Sequence, residues 1–329
     1  MSRTTASSVL DRVLVLEMVR VTEAAAIAAS QWIGRGDNDA ADAAAVEAMR
    51  MALNELPLCG TVVIGEGERD EAPMLYIGEK VGCAQGEGPK IDIALDPLEG
   101  TSITAKAGPN ALAVLAIAEN GCLLNAPDTY MEKLAIGPGC PKGTIDLAKS
   151  PADNIRAIAA AKGVEPRDII ACVLDRPRHE AIIAELRGLG CGIKLIPDGD
   201  VAGVIATADP DTGVDVYIGT GGAPEGVLAA AALRCVGGQM QGRLVFRNDD
   251  EVARARRWGI DDLDRIYHLE EMAKGDCIFA ATGVTDGSLL EGVHRHKGCV
   301  TTQSIVMRAS SGTVRRVSTE YHDLTHRGL

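Results

Sequence analysis

The sequence predicts a large protein of the α/β class. From about residue 151 onward, short apolar stretches at 169–174, 193–196 and 214–218 alternate with helical patterns. Such alternation is typical of βαβ units, in which helices cover a largely parallel sheet. The side chains are thin, with 37 glycines and only 3% aromatic residues, which suits close packing of helices on sheets. With 329 residues, 46% of them hydrophobic, the chain can form one large or two coupled domains.

The composition also narrows the classes of partner. A formal net charge of −13 argues against nucleic acid and against an anionic membrane, because both require a basic surface. Nine cysteines occur without a Cys-x-x-Cys pair, which favours reduced thiols. The N-terminal stretch lacks a secretory pattern, and no apolar run is long enough to span a bilayer. We therefore expect a cytoplasmic protein that binds neither nucleic acid nor membrane.

Two helices are predicted at the start of the chain. The first covers about 9–33 and ends at Gly34, and the second covers about 40–56 after capping candidates at 37–39. Asp42 precedes Val46 by four residues and therefore shares its inward face. Two explanations stay open for this acid: a buried partner such as a metal, or a favourable interaction with the helix dipole.

Acids follow two apolar strands in the same half. Glu66 lies between two glycines directly after the strand 61–64. The stretch 91–101 reads as a strand that ends at Asp96, and we expect Pro97 to stop it. Glu99, Gly100 and Thr101 then add a second carboxylate, a closely approachable backbone and a hydroxyl. Such oxygen-rich clusters suit Mg²⁺ or Mn²⁺, although a surface turn with solvated acids has the same local sequence.

In the second half, polar motifs follow each predicted strand. They are Arg-Pro-Arg-His at 176–179, Pro-Asp-Gly-Asp at 197–200 and Gly-Gly-Ala-Pro-Glu-Gly at 221–226. Ligands of such sheets bind outside the carboxyl ends of the strands. The arginines at 254–257 fit either a solvated helix face or phosphate contacts. A His-x-His pair at 294–296 precedes Cys299, but the spacing does not match a zinc finger.

These motifs together resemble one enzyme family. The run 96–101, Asp-Pro-Leu-Glu-Gly-Thr, is similar to the signature of lithium-sensitive, metal-dependent sugar and inositol phosphatases. The runs 65–74 and 125–133 and the three strand-end motifs narrow this match. With them, the chain resembles class II, bacterial-type fructose-1,6-bisphosphatase. The resemblance extends from about Val13 to Arg315.

The resemblance implies a fold, an activity and partners. The fold would be a layered α-β-α-β-α phosphatase, with most metal ligands in 1–150 and the substrate loops in 151–329. The reaction would be hydrolysis of the 1-phosphate of fructose 1,6-bisphosphate, a step of gluconeogenesis. It would use two or more Mg²⁺ or Mn²⁺ ions per active site. A homodimer or homotetramer would be expected.

The resemblance also implies a role for each matched residue. The metal ligands would be Asp42, Glu66, Asp96, Glu99 and Glu225. The catalytic residues would be Thr101, Glu99, Asp70 and Glu68, with Thr101 binding the transferred phosphate and orienting water. The substrate would contact Glu99, Gly100, Thr101, Tyr130, Arg176, Pro177, Arg178, Asp198, Gly199, Asp200 and Gly222.

The chain departs from the family pattern at two places. Asn38 stands where related sequences often carry lysine, and the segment 248–257 is shorter than in some relatives, so its arginines receive no role. Three other activities stay open at this point. They are action on sedoheptulose 1,7-bisphosphate, action on inositol or nucleotide phosphates, and sugar-phosphate binding without catalysis.

Overall fold

The computed structural model describes residue 10 and residues 14–67, 73–84 and 86–322. The helices are α1 Leu14–Ser30, α2 Asn38–Asn54, α3 Thr101–Ala105, α4 Pro151–Lys162, α5 Glu180–Gly188, α6 Asp200–Ala206, α7 Ala223–Val236, α8 Asp249–Arg257 and α9 Leu269–Met272. The strands are β1 Cys59–Ile64, β2 Lys80–Val81, β3 Lys90–Glu99, β4 Leu112–Glu119, β5 Tyr130–Ile136, β6 Ile170–Leu174, β7 Gly192–Ile196, β8 Val216–Gly222, β9 Gln239–Val245, β10 Ile266–His268, β11 Cys277–Gly283, β12 His294–His296, β13 Cys299–Arg308 and β14 Thr313–His322.

These strands form two mixed sheets. The first sheet has the order β12-β13-β11-β4-β3-β1-β2, with β14 also paired to β13. The second sheet has the order β10-β9-β5-β8-β6-β7. As predicted, β6, β7 and β8 are parallel neighbours in which β6 lies at the centre. The other pairs of the second sheet are antiparallel.

The helices divide into three layers around the two sheets. Helices α1 and α2 cover the outer face of the first sheet, with Met18 and Met49 fully buried against it. Helix α7 lies between the sheets and contacts strands of both. Helices α4 and α5 cover the outer face of the second sheet through Ile158 and Leu186. The predicted α-β-α-β-α layering is therefore confirmed.

The alanine-rich sequence of α7 explains how it fits between two sheets. Ala229 through Ala232 are all buried, and small side chains let sheets on both sides approach the helix. Gly226 lies so close to β5 that a β-carbon there would come within 2.6 Å of Met131 Sδ. The middle layer is consequently thin, which brings the strand ends of both sheets near each other.

Three local predictions need correction. The strand predicted at 214–218 is β8 Val216–Gly222, so Gly221 and Gly222 belong to the strand and do not follow it. Helix α1 ends at Ser30 rather than near residue 33, while most of the predicted start at 9–13 lies outside the described residues. Pro97 does not stop its strand, because β3 continues to Glu99. The register with β4 shifts between Asp96 and Glu99, which is a bulge. A bulge tolerates proline because the ladder needs no N–H at that position.

The chain returns to the first sheet near its end. Strands β11 to β14 follow the whole second sheet in sequence, yet they pair with β4 and with each other. The two sheets therefore do not coincide with the halves 1–150 and 151–329. The domain boundary itself stays a prediction.

A buried row of hydroxyl groups fixes α1 on the first sheet. Thr22 Oγ1 lies 2.7 Å from Thr282 Oγ1, which lies 2.8 Å from Ser304 Oγ, and all three residues are fully buried. Replacing Thr22 by valine keeps the shape but leaves Thr282 with one partner fewer. We expect a loss of about 1–3 kcal/mol in the free energy of unfolding, measured with urea.

The matched control for this prediction is Thr22→Ser, which keeps the hydroxyl and removes only a methyl group. It should lose about 1 kcal/mol through that methyl alone. Equal stability of Thr22→Val and the original protein would show that the hydroxyl row does not hold the helix.

Candidate active site

An acidic cavity opens where the first sheet meets the middle helix layer. Its volume is about 180 Å³, and its wall includes Glu66, Asp96, Asp128 and Glu225. Glu66 follows β1, Asp96 lies near the end of β3, and Glu225 lies in the first turn of α7. The first turn of a helix favours negative charge, which suits the position of Glu225. Three of the predicted metal ligands therefore line one cavity.

Glu99 lies close to this acidic group and connects the first sheet to helix α6. It ends β3 in the first sheet, and its Oε1 accepts a hydrogen bond of 2.7 Å from the backbone N–H of Val201 in α6. Its other oxygen, Oε2, is buried and has no hydrogen-bond partner among the described residues. Gly100 follows with φ of 93°, a left-handed conformation that favours glycine, and Thr101 then begins α3. The chain thus places a carboxylate and a hydroxyl on one turn.

The acids strongly perturb one another. Burial, with added repulsion from Asp42 and Glu225, raises the pKa of Glu66 to about 8. Burial also raises the pKa of Asp96 well above its usual value, and Glu66 and Glu225 raise it further. The pKa of Glu99 is raised well above its usual value by burial and then by repulsion from neighbouring acids, Asp96 included. Asp42 belongs to the same electrostatic group, and burial raises its pKa as well.

Glu225 is packed tightly against the end of β8. A β-carbon on Gly222 would come within 1.9 Å of Glu225 Oε2, so only glycine leaves room for the carboxylate. That oxygen is buried without a hydrogen-bond partner among the described residues. Burial raises the pKa of Glu225, while the nearby charge of Lys133 opposes the rise.

Lys133 is a residue of this site that the sequence analysis missed. It is 1% exposed, and its Nζ lies 2.5 Å from Asp200 Oδ2. A β-carbon on Gly221 would contact that Asp200 oxygen, so the close approach of β8 shapes this pair too. A signal was present in the sequence, since Lys133 shares the inward strand face with Met131. A lysine on such a face requires a buried acidic partner.

A second part of the site carries positive charge. Tyr130 begins β5, and two guanidinium groups lie over its ring, that of Arg178 at 4.9 Å and that of Arg247 at 4.8 Å from the ring centroid. Arg178 donates hydrogen bonds of 3.0 and 2.7 Å from Nε and Nη2 to the carbonyl of Thr220. Tyr130 pairs directly with Gly222 of β8, so this stack adjoins the Glu225 end of the cavity.

Arg247 was also missed, because the sequence places it outside any recognised motif. Its Nε donates to Glu251 Oε1 at 2.6 Å, and Glu251 is 1% exposed. The other Glu251 oxygen accepts hydrogen bonds from Thr129 Oγ1 at 2.9 Å and from the Arg247 backbone N–H at 2.7 Å. The arginine is therefore held in place beside the residue that precedes Tyr130. Its position depends on contacts between strands that local patterns do not reveal.

His179 positions the loop that carries Arg176 and Arg178. Its Nε2 accepts a hydrogen bond of 2.8 Å from the Thr220 N–H, and its Nδ1 donates to the carbonyl of Leu174 at 2.8 Å. Burial lowers the pKa of His179, which keeps the neutral form required by this arrangement. Pro177 begins the short turn that separates Arg176 from Arg178.

The Asp-Gly-Asp motif lies between the two parts of the site. Arg176 Nη2 lies 3.9 Å from Asp198 Oδ1, and Asp200 begins α6 after Gly199. The backbone N–H of Val201, the next residue, is the group that binds Glu99. The structure therefore brings the substrate-binding candidates of the second sheet next to the acids of the first. Glu68 and Asp70 lie outside the described residues.

The donor set fits divalent cations that prefer oxygen. The five clustered acids supply carboxylates only, and two of them carry buried oxygens, Glu99 Oε2 and Glu225 Oε2, that find no protein donor among the described residues. Cations would both satisfy these oxygens and remove the repulsion that raises the carboxyl pKa values. Their role as metal ligands stays a prediction that this arrangement supports.

The layered fold with an acidic cavity beside stacked arginines defines the class of a metal-dependent phosphatase. The sequence model of the family described as "Bacterial fructose-1,6-bisphosphatase, glpX-encoded" matches residues 12–321. The chain belongs to this family, whose members are metal-dependent phosphatases.

Curated relatives match over nearly the full chain. The chain is 50% identical over 325 residues to "Fructose-1,6-bisphosphatase 1 class 2" of Escherichia coli (strain K12), covering 94% of this chain and 96% of the relative. The same identity and coverage hold for "Fructose-1,6-bisphosphatase class 2" of Shigella flexneri. In the described part of the chain, none of the helices has the length and apolar character that a membrane span requires.

The raised pKa values predict how stability depends on pH without divalent cations. Glu66 titrates near 4.5 in the unfolded chain and at about 8 in the folded protein. Between these values the folded state retains a proton that the unfolded state has lost, so raising the pH favours unfolding. We expect the free energy of unfolding to fall by up to about 1.4 kcal/mol per pH unit in this window from Glu66 alone.

The measurement is urea unfolding in the presence of a chelator at several pH values. Glu66→Gln should flatten the dependence, and added Mn²⁺ should reverse the loss above pH 7. A stability that rises with pH across this window in the metal-free protein would contradict the account of the acidic cavity.

Proposed function

We propose that this protein hydrolyses the 1-phosphate of fructose 1,6-bisphosphate, releasing fructose 6-phosphate and phosphate. One observation carries the proposal: a carboxylate cavity and a Tyr–Arg stack open side by side at the junction of the two sheets. A substrate with a phosphate at each end matches that arrangement. Membership of the fructose-1,6-bisphosphatase family and 50% identity to two class 2 enzymes support the same substrate.

The acidic end is where the reacting phosphate would bind. Asp42, Glu66, Asp96, Glu99 and Glu225 would hold two or more Mg²⁺ or Mn²⁺ ions, together with water and phosphate oxygens. Such ions shield the phosphoryl oxygens, lower the pKa of a bound water and stabilise the leaving alkoxide.

Thr101 and Glu99 would orient the groups that react. Glu99 has one oxygen anchored by the Val201 N–H and the other without a protein donor, so its free oxygen keeps a fixed direction. Thr101 follows after two residues, at the start of α3, and presents its Oγ1 hydroxyl from the same turn. The hydroxyl is too weak an acid to act alone, but beside carboxylates it can align water in line with the phosphorus.

The cationic end would bind the phosphate that is not transferred. Arginine suits this role because its planar fork binds phosphate through two hydrogen bonds. Arg178 uses Nε and Nη2 on the Thr220 carbonyl, which fixes the plane of its guanidinium on the Tyr130 ring. Arg247 also lies over this ring and is held there by Glu251. Arg176, which precedes Arg178 by two residues and lies near Asp198, would add a third positive charge to this end of the site.

The sugar would span the distance between these ends. Asp198, Gly199 and Asp200 would accept its hydroxyl groups, and the Gly222 backbone would add a contact. Asp200 is held by Lys133, which restricts the carboxylate to one orientation. Lys133 therefore would position a substrate contact and also moderate the charge near Glu225.

We further propose a homo-oligomer in the cytoplasm. Leu16 on α1 and Met51 on α2 are 56% and 64% exposed, on the two helices that cover the outer face of the first sheet. A second copy packed on this helical face would cover both side chains.

The first test of the function is phosphate release from fructose 1,6-bisphosphate with Mg²⁺ or Mn²⁺. Thr101→Ala should lower kcat about 100-fold, because the aligned hydroxyl is lost, while Thr101→Ser retains most of the activity. Sedoheptulose 1,7-bisphosphate and inositol and nucleotide monophosphates serve as comparison substrates. No release from fructose 1,6-bisphosphate with either metal would reject the proposal.

The second test concerns the phosphate that stays on the sugar. Arg247→Lys keeps a positive partner for Glu251 but loses the planar group on Tyr130. We expect kcat/KM for the bisphosphate to fall about 10-fold or more, mainly through KM, since a charged hydrogen bond contributes about 1.5–3 kcal/mol. Arg256→Lys, at an exposed position of the neighbouring helix α8, is the control. An unchanged KM for Arg247→Lys would exclude a role in binding this phosphate.

A further inference from the structure

A group of metal-binding side chains lies outside the acidic cavity, on the first sheet. Cys299 begins β13 and pairs directly with His322, the last residue of β14. In the same register Glu320 pairs with Thr301. Directly paired residues of antiparallel strands point to the same face, and so do residues two apart along one strand. Cys299, Glu320 and His322 therefore project from one face of the sheet.

The ligand atoms of these three side chains are already close. Cys299 Sγ, a carboxylate oxygen of Glu320 and an imidazole nitrogen of His322 all lie within 4.8 Å of one another. His322 Nε2 lies 3.2 Å from Glu320 Oε2. Ligand atoms around tetrahedral zinc are about 3.5 Å apart, because each bond is about 2.0–2.3 Å long. Small side-chain rotations would bring the three ligand atoms to this spacing, since Glu320 and His322 are exposed and can rotate toward Cys299.

We propose that Cys299, Glu320 and His322 form a zinc site, with water as the fourth ligand. One thiolate, one imidazole and one carboxylate are the ligand types that zinc takes in proteins. Sulfur and nitrogen ligands favour zinc over Mg²⁺ and Mn²⁺, which prefer the oxygen ligands of the acidic cavity. The two sites would therefore bind different ions from the same solution.

The ligands come from strands that are adjacent only in space. The His-x-His pair that precedes Cys299 in sequence is engaged differently, because His294 Nε2 binds Asp286 Oδ1 at 2.7 Å. The His296 ring stacks on His294 with centroids 6.4 Å apart. His296 of β12 also pairs directly with Cys299, but the side chains whose ligand atoms lie within 4.8 Å of one another are those of Cys299 and of Glu320 and His322 on β14. Zinc would thereby fasten the last residues of β14 to the start of β13.

The site is testable with Co²⁺, which takes the geometry of zinc and absorbs light when bound to a thiolate. The full chain is titrated with Co²⁺ in excess Mg²⁺, which occupies the oxygen-only cavity. A sulfur-to-cobalt charge-transfer band is expected in the original protein and should disappear when Zn²⁺ is added. Cys83→Ser is the matched control, because Cys83 is an exposed free thiol outside the group.

The variants distinguish a metal site with three protein ligands from binding of Co²⁺ by a single thiol. Cys299→Ser should abolish the band, His322→Asn and Glu320→Gln should weaken Co²⁺ affinity at least tenfold, and Cys83→Ser should change nothing. The proposal is overturned if the original protein shows no band or if Cys299→Ser retains it. It is equally overturned if His322→Asn and Glu320→Gln both bind Co²⁺ as tightly as the original protein. Phosphatase activity with Mg²⁺ should be unaffected in Cys299→Ser, so the proposed function is judged separately.

Discussion

Five carboxylates share a site in which burial raises the pKa of each and so disfavours their charged forms. Glu66 shows this most clearly, since burial and the neighbouring acids raise its pKa to about 8. Two buried oxygens, one on Glu99 and one on Glu225, have no donor among the described residues. Buried, mutually repelling acids destabilise the folded state, and such groups are typically found at functional sites. The first sheet and the middle helix α7 together supply this cluster.

The scaffold assembles the cluster by joining chain segments that are distant in sequence. The first sheet delivers Asp96 and Glu99 from β3, and α7 delivers Glu225 from between the sheets. The hydrogen bond from the Val201 N–H to Glu99 then ties α6 to β3. Because Asp200, a substrate-binding candidate, begins that same α6, this hydrogen bond links the acidic cluster to the Asp-Gly-Asp motif. This coupling suits a reaction that depends on positioning more than on covalent chemistry.

The helices, strands and acidic ligand candidates were largely predictable from the local sequence. The side chains that meet through strand pairing were not. Acids after apolar strands, such as Asp96, are visible because strand and turn patterns are short-range. The bulge that carries β3 through Pro97 was not, because it depends on pairing with β4. Arg247 owes its role to a ring and a carboxylate on other segments, and His322 meets Cys299 only through strand register. Such contacts arise from the fold, and no periodic sequence pattern indicates them.

The most direct test of the central claim is to locate the cations. Crystals grown with Mn²⁺ would be measured at the manganese absorption edge, where anomalous scattering marks each ion. The account predicts at least two peaks in the acidic cavity, in contact with carboxylate oxygens that include Glu99 Oε2 and Glu225 Oε2. Peaks only at other places, in a protein that is active with Mn²⁺, would contradict the account.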